Sequence, residues 1–177
     1  MMFVSLGIGV VVALLLIGVV SLLTGARGSG PYPTSSLVGT TVRSFTLGGL
    51  SGGTVRAPWA RGHAAVLIFF ASDCGPCQRE MPLVAAYVRT HDVAPVSVVG
   101  VDVVDARSAA QRFVRRDGVT FPVAFDPTSA VTTGIFNFLG IPETVFVSGR
   151  GIVTRVFSGA IPPGELASGI RQLRSTA

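Results

Sequence analysis

The chain has 177 residues, 49% of them hydrophobic and only 13% charged, with 14 basic residues against 9 acidic ones, a formal net charge of +5 and 2 cysteines. Abundant apolar side chains exclude a disordered chain, the lack of a glycine period excludes a collagen-like one, and two cysteines are too few for a disulfide-stapled miniprotein. Every basic residue is an arginine, and the longest basic run is Arg115-Arg116. Without a clustered basic stripe, no nucleic-acid partner is expected.

Hydrophobicity is concentrated at the start. Phe3 to Leu23 is an uncharged stretch of 21 residues, which as a helix spans roughly 31 Å against a bilayer core of about 30 Å. Residues 1–23 therefore read as a transmembrane anchor. A cleaved signal peptide, with Thr24-Gly25-Ala26 as its cleavage site, is the alternative; the apolar run is longer than a signal peptide needs and no Lys or Arg precedes it. Arg27 and Arg43 follow the span, so the positive-inside rule taken alone would hold the following domain inside. Residues 24–36, rich in Gly, Ser and Pro, read as a flexible tether, and 37–177 as one domain of ordinary size.

Within the domain, Thr41–Leu47 and Gly53–Ala57, separated by glycines, predict a hairpin. Ala64–Phe70 and Val96–Val103 are apolar runs of buried-strand length. Between them, residues 75–90 carry Met81, Val84, Tyr87 and Val88 at helical spacing, with Pro82 expected to kink the helix early. A second helix is predicted at Ala106–Arg116, capped by Asp105. Val119–Phe125, a turn or helix after Asp126-Pro127, strands at Thr144–Ser148 and Ile152–Phe157, and a helix at Gly164–Arg174 complete the pattern. Strands alternating with helices and ending in a strand pair imply an α/β sandwich with a mixed sheet.

Cys74-Gly75-Pro76-Cys77 falls between the first buried strand and the following helix. There the unpaired backbone N–H groups and the helix dipole stabilise a thiolate on Cys74, and the two-residue spacer lets Cys77 close onto it. The pattern predicts thiol-disulfide exchange, with Cys74 attacking and Cys77 resolving. Zinc binding would need about four ligands, and only His63 and His91 accompany the pair. A purely structural disulfide closing so short a loop gains little. No metal and no cofactor beyond a redox-active Cys74–Cys77 disulfide is expected.

The domain resembles the membrane-anchored, thioredoxin-fold disulfide reductases of the TlpA/ResA/CcmG group, which serve cytochrome c maturation and related extracytoplasmic thiol chemistry. The resemblance covers about residues 37–175. It is carried by Ser44-Phe45-Thr46-Leu47 with Gly52, Val55 and Gly62; by Phe69-Phe70-Ala71-Ser72-Asp73-Cys74-Gly75-Pro76-Cys77-Gln78-Arg79-Glu80-Met81-Pro82; by Val119-Thr120-Phe121-Pro122 with Asp126-Pro127; and by Gly140-Ile141-Pro142-Glu143-Thr144. It implies a thioredoxin-like sandwich in which Pro142 is a cis-proline facing the cysteine pair. Gly75, Pro76, Ile141, Pro142 and Glu143 would then contact the substrate, Glu143 helping to recognise a partner, and Glu80 would be the active-site carboxylate that relays protons. A solvent-facing helical Glu80 is the alternative, since the surface is the usual place for Glu.

The departures from the group's pattern carry consequences too. Asp73 replaces the usual Trp before the first Cys, opposing thiolate formation. Phe70 replaces another Trp, and Ile68 stands where cytosolic thioredoxins bury an Asp, so proton handling rests on Glu80. Peroxidase activity is not expected, because Leu67 and Ala71 occupy the places of the Pro and Thr of a peroxiredoxin motif. The resemblance implies an extracytoplasmic, single-pass cell-membrane protein with its redox domain outside. It would reduce disulfides of apocytochrome c or other secreted proteins and draw electrons from a membrane donor of the CcdA/DsbD type. A dithiol oxidase and a non-catalytic thioredoxin-fold adaptor are the competing readings.

Overall fold

The computed structural model describes residues 35–175. The anchor expected at 1–23 and all of the tether except Ser35 and Ser36 lie outside the described residues. No described helix is long and apolar enough to cross a membrane.

Ala65–Phe70 forms β3, buried at every position. A strand covered on both faces has no solvent side to mark with polar residues, which is why its sequence runs apolar without alternation. It pairs in parallel with β4, Ser97–Val103, and antiparallel with β6, Glu143–Val147. β4 pairs in parallel with β5, Val123–Asp126. An antiparallel hairpin of β1, Thr46–Gly49, and β2, Thr54–Arg56, extends one edge, and β7, Val153–Ser158, forms the other. The sheet order is β2-β1-β5-β4-β3-β6-β7, the mixed sheet the sequence predicts.

Helices α1, Gly75–Thr90, and α2, Arg107–Arg116, follow β3 and β4. Helix α3, Ala130–Phe136, precedes β6, and α4, Pro163–Ser175, ends the fold. One face of β3 (Val66, Ile68, Phe70) packs with Cys77, Met81 and Val84 of α1, Ala110 and Phe113 of α2, and Leu166, Ile170 and Leu173 of α4. The other (Ala65, Leu67, Phe69) packs with Phe45, Trp59 and Phe136. The fold is thus a thioredoxin-like α/β sandwich with helices on both sides of a mixed sheet.

Two local expectations change. The hairpin is shorter and later than predicted, and Thr41 instead makes an isolated bridge to Ile152. Pro82, where a kink is expected, lies within helix α1. Asp105 does not cap α2: the cap position is Ala106, with no side-chain hydrogen bond, because the Asp105 carboxylate accepts the Ser72 N–H at 2.7 Å instead. After β5, Asp126 is buried and accepts hydrogen bonds from the N–H groups of Val131 and Thr132 and from the Thr132 hydroxyl, which fixes the first turn of α3.

Candidate active site

The chain leaves the upper end of β3 at Phe70, and four residues later Cys74 caps α1. Cys74 is half-buried, Gly75 and Pro76 are exposed, and Cys77 is fully buried. Cys74 and Cys77 form a disulfide with their Cα atoms 5.2 Å apart. Pro76 stands in the first turn, where it has no hydrogen bond to lose. The Cys77 N–H donates to Cys74 Sγ at 3.2 Å, so one of the orphan donors of the helix start already points at the sulfur that would carry charge after reduction. The loop is held by Asp105 on the Ser72 N–H and by Gln78 Nε2, which donates to the Ser72 carbonyl at 2.8 Å.

β6 brings the second segment. Its first residue, Glu143, lies in register with Phe69, next to the end of the strand that delivers Cys74. The Ile141-Pro142 bond just before it is cis, and Pro142 is buried. Ile141 and Cys74 both pack against the core cluster that contains Cys77. The Pro142 carbonyl accepts the Gly159 N–H at 2.8 Å, whereas the N–H and C=O of Ile141 engage no described residue.

Glu80 lies on the inner side of α1, 2% exposed, which replaces the solvent-facing alternative. Its carboxylate accepts the Ile161 N–H at 3.0 Å. Burial raises its pKa to about 7, the backbone hydrogen bond opposing that rise. At positions three apart on one helix, Cys77 and Glu80 are neighbours on the same face.

A model of the AhpC/TSA family matches residues 38–156. The chain belongs to the AhpC/TSA family. The thiol-disulfide oxidoreductase ResA of Geobacillus kaustophilus is 26% identical to it over 141 residues, 80% of each chain. Among solved structures, MTB dsbF, in mixed oxidized and reduced forms, superposes with a TM-score of 0.64 at 30% identity, covering 73% of this chain and 94% of that one. A secreted Mycobacterium tuberculosis disulfide oxidoreductase homologous to E. coli DsbE gives 0.63 at 26% identity, covering 73% and 96%. This AhpC/TSA-family chain is therefore a thiol-disulfide oxidoreductase of the ResA/DsbE type, with Cys74 and Cys77 as its cysteine pair.

In this family member Glu143 is placed differently from a recognition residue. It is buried, and it accepts a hydrogen bond from the Ser158 hydroxyl at 3.3 Å. Burial raises its pKa, with Ser158 opposing. It lies in register with Phe69, on the sheet face away from Cys77, so its carboxylate is not offered to a partner.

Sequence reasoning missed Asp102. It is in register with Phe70, on the α1 side of the sheet, and is fully buried with no hydrogen-bond donor on either oxygen among the described residues. Burial, reinforced by Asp105 and Asp73 and opposed by Arg107, raises its pKa to about 8. With Ile68 in the usual carboxylate position, a buried acid is supplied instead by the neighbouring strand. A single charged residue inside the largely apolar run Val96–Val103 is its visible signal.

Proposed function

We propose that this chain is a membrane-tethered, extracytoplasmic reductase of protein disulfides. The observation that carries the reading is the Cys77 N–H on Cys74 Sγ at the start of α1, which favours the Cys74 thiolate and so makes it the attacking group. The Cys74 thiolate attacks a substrate disulfide, forming a mixed disulfide and releasing one substrate thiolate. Cys77 gives up its proton, with Glu80 as acceptor, and attacks Cys74 Sγ. The internal disulfide closes, the second substrate thiolate leaves and takes up the proton held by Glu80, the first is protonated from solvent, and two electrons have passed from the dithiol to the substrate.

The unengaged backbone of Ile141 suits strand-like pairing with the substrate beside the reacting sulfur. Regeneration needs a dithiol donor, for which a membrane protein of the CcdA/DsbD type fits an anchor at Phe3–Leu23. The resemblance to the cytochrome c maturation group makes apocytochrome c the leading substrate, and reductive work outside the cell would orient the chain N-terminus in, domain out, against the weak charge signal of Arg27 and Arg43.

Equilibration in thiol-disulfide buffers tests the direction. A potential near that of thioredoxin, about −270 mV, is expected, and one near DsbA's, about −120 mV, would overturn the reductase reading in favour of a dithiol oxidase. A Cys74→Ala strain that keeps full function would replace both with the adaptor reading.

A further inference from the structure

The described domain keeps acids inside and bases outside. Of its 9 acidic residues, Glu80, Asp102, Asp126 and Glu143 are buried, whereas every described arginine is exposed or half-buried. The surface is therefore more positive than the net charge of the chain suggests, and the excess comes close to the chemistry on α2. Ala109, Arg112, Phe113 and Arg116 share one face of that helix, and with Ser72 they line a shallow cavity of about 290 Å³.

Ser72 is two residues from Cys74, and its backbone is pinned by Asp105 and Gln78, leaving its hydroxyl without a partner among the described residues. Phe113 forms an apolar wall, stacked on Phe70. Arg116 pairs with Asp117 and lies 5.1 Å over the Phe113 ring. Arg112 is exposed and makes no hydrogen bond or ion pair with any described residue. Across the loop, Arg79 Nη1 lies 3.8 Å from where a Cβ on Gly75 would sit, a second guanidinium near the dithiol with no partner among the described residues. The acids here are Asp73, exposed next to Cys74; Asp105, tied to Ser72; Asp117, tied to Arg116; and buried Asp102.

We propose that the cavity between Ser72 and Arg112 is a subsite for an acidic side chain flanking the disulfide of a polypeptide substrate. The inference rests on the dithiol chemistry proposed above. A guanidinium fork matches a carboxylate in two parallel hydrogen bonds, the Ser72 hydroxyl adds a third donor, and the Phe113 wall excludes water from one side. Arg79 contributes longer-range attraction, and Asp73 works against it.

The test uses the reduced full chain and two cystine peptides identical except for a Glu or a Gln beside the disulfide, with reduction followed by acid quench. The Glu peptide should react about fivefold faster at low ionic strength, and about 0.5 M salt should erase the difference. Arg112→Gln should bring the two rates together and Arg112→Glu should reverse their order, while Arg171→Gln, an exposed change on α4, should keep the preference. Equal rates in the wild type, or a preference that survives Arg112→Gln, would overturn the subsite. Dependence on Arg112 for oxidised glutathione but for neither peptide would assign the cavity to a small disulfide and overturn the polypeptide reading. No reduction of either peptide would overturn the dithiol reading itself, and the subsite with it.

Discussion

Glu80 lies one helical turn beyond Cys77, yet its carboxylate is tied to a segment 81 residues away, accepting the N–H of Ile161 at 3.0 Å. This bond fixes a buried acid one helical turn from Cys77, the thiol proposed to resolve the mixed disulfide. Because its pKa is raised to about 7, Glu80 holds its proton below neutrality and becomes an acceptor as pH rises through that value. Resolution of a mixed disulfide on Cys74 should therefore accelerate between about pH 6 and pH 8 in the wild type. In Glu80→Gln the step should slow about a hundredfold and lose that inflection, as stopped-flow single-turnover kinetics would record. Gln can still accept from Ile161, so a purely structural role predicts an unchanged pH profile.

Asp102 makes a stability prediction. Its carboxyl has a folded pKa of about 8 against an ordinary value of 3.8, so the folded state binds the proton more tightly. The stability this brings is complete below the unfolded value and is lost as pH rises to about 8. Above that, the fold carries a buried charge with no donor on it. Asp102→Asn should raise Tm by several degrees at pH 8.5 and by less at pH 5, read by thermal melts across pH. A gain of equal size at both values would contradict the assignment.

The packing of α4 on β6 depends on Gly169. A Cβ there would fall inside contact distance of the buried Phe146 ring, and Phe146 is held within the core on the α1 side. Gly169→Ala gains about 1 kcal/mol of helix propensity, but forcing the ring or the helix aside costs about 1–3 kcal/mol. The variant should lose net stability, seen as a lower denaturant midpoint with an unchanged slope; a stabilised variant would refute the packing account.

Much of this was legible in the residue order, and the rest was hidden for definite reasons. β3 and β4 could be read because strands buried on both faces are mostly apolar, and the cysteine pair because strand, motif and helix agree. The hairpin was misplaced because glycine-rich edges carry little periodic signal. Asp105 has the chemistry of a helix cap, but the Ser72 N–H, 33 residues away, competes for the same carboxylate. Glu80 could not be assigned to the interior because its partner Ile161 is distant in sequence. Asp102 is masked by a strand that is apolar apart from it and Ser97, and the relation of Arg112 to Ser72 exists only once α2 has packed beside the loop. Glu143 followed the family pattern in sequence but is turned into the core, where its bond is to Ser158.

The central claim is that Cys74 attacks the disulfide of an exported protein and Cys77 resolves the product. A Cys77→Ser variant, expressed as the full chain and acid-quenched in intact cells, tests it most directly. The account predicts a reductant-sensitive adduct joining Cys74 to a secreted thiol protein, absent when Cys74 is also replaced. No adduct on Cys74, or the same adduct persisting without Cys74, would contradict it.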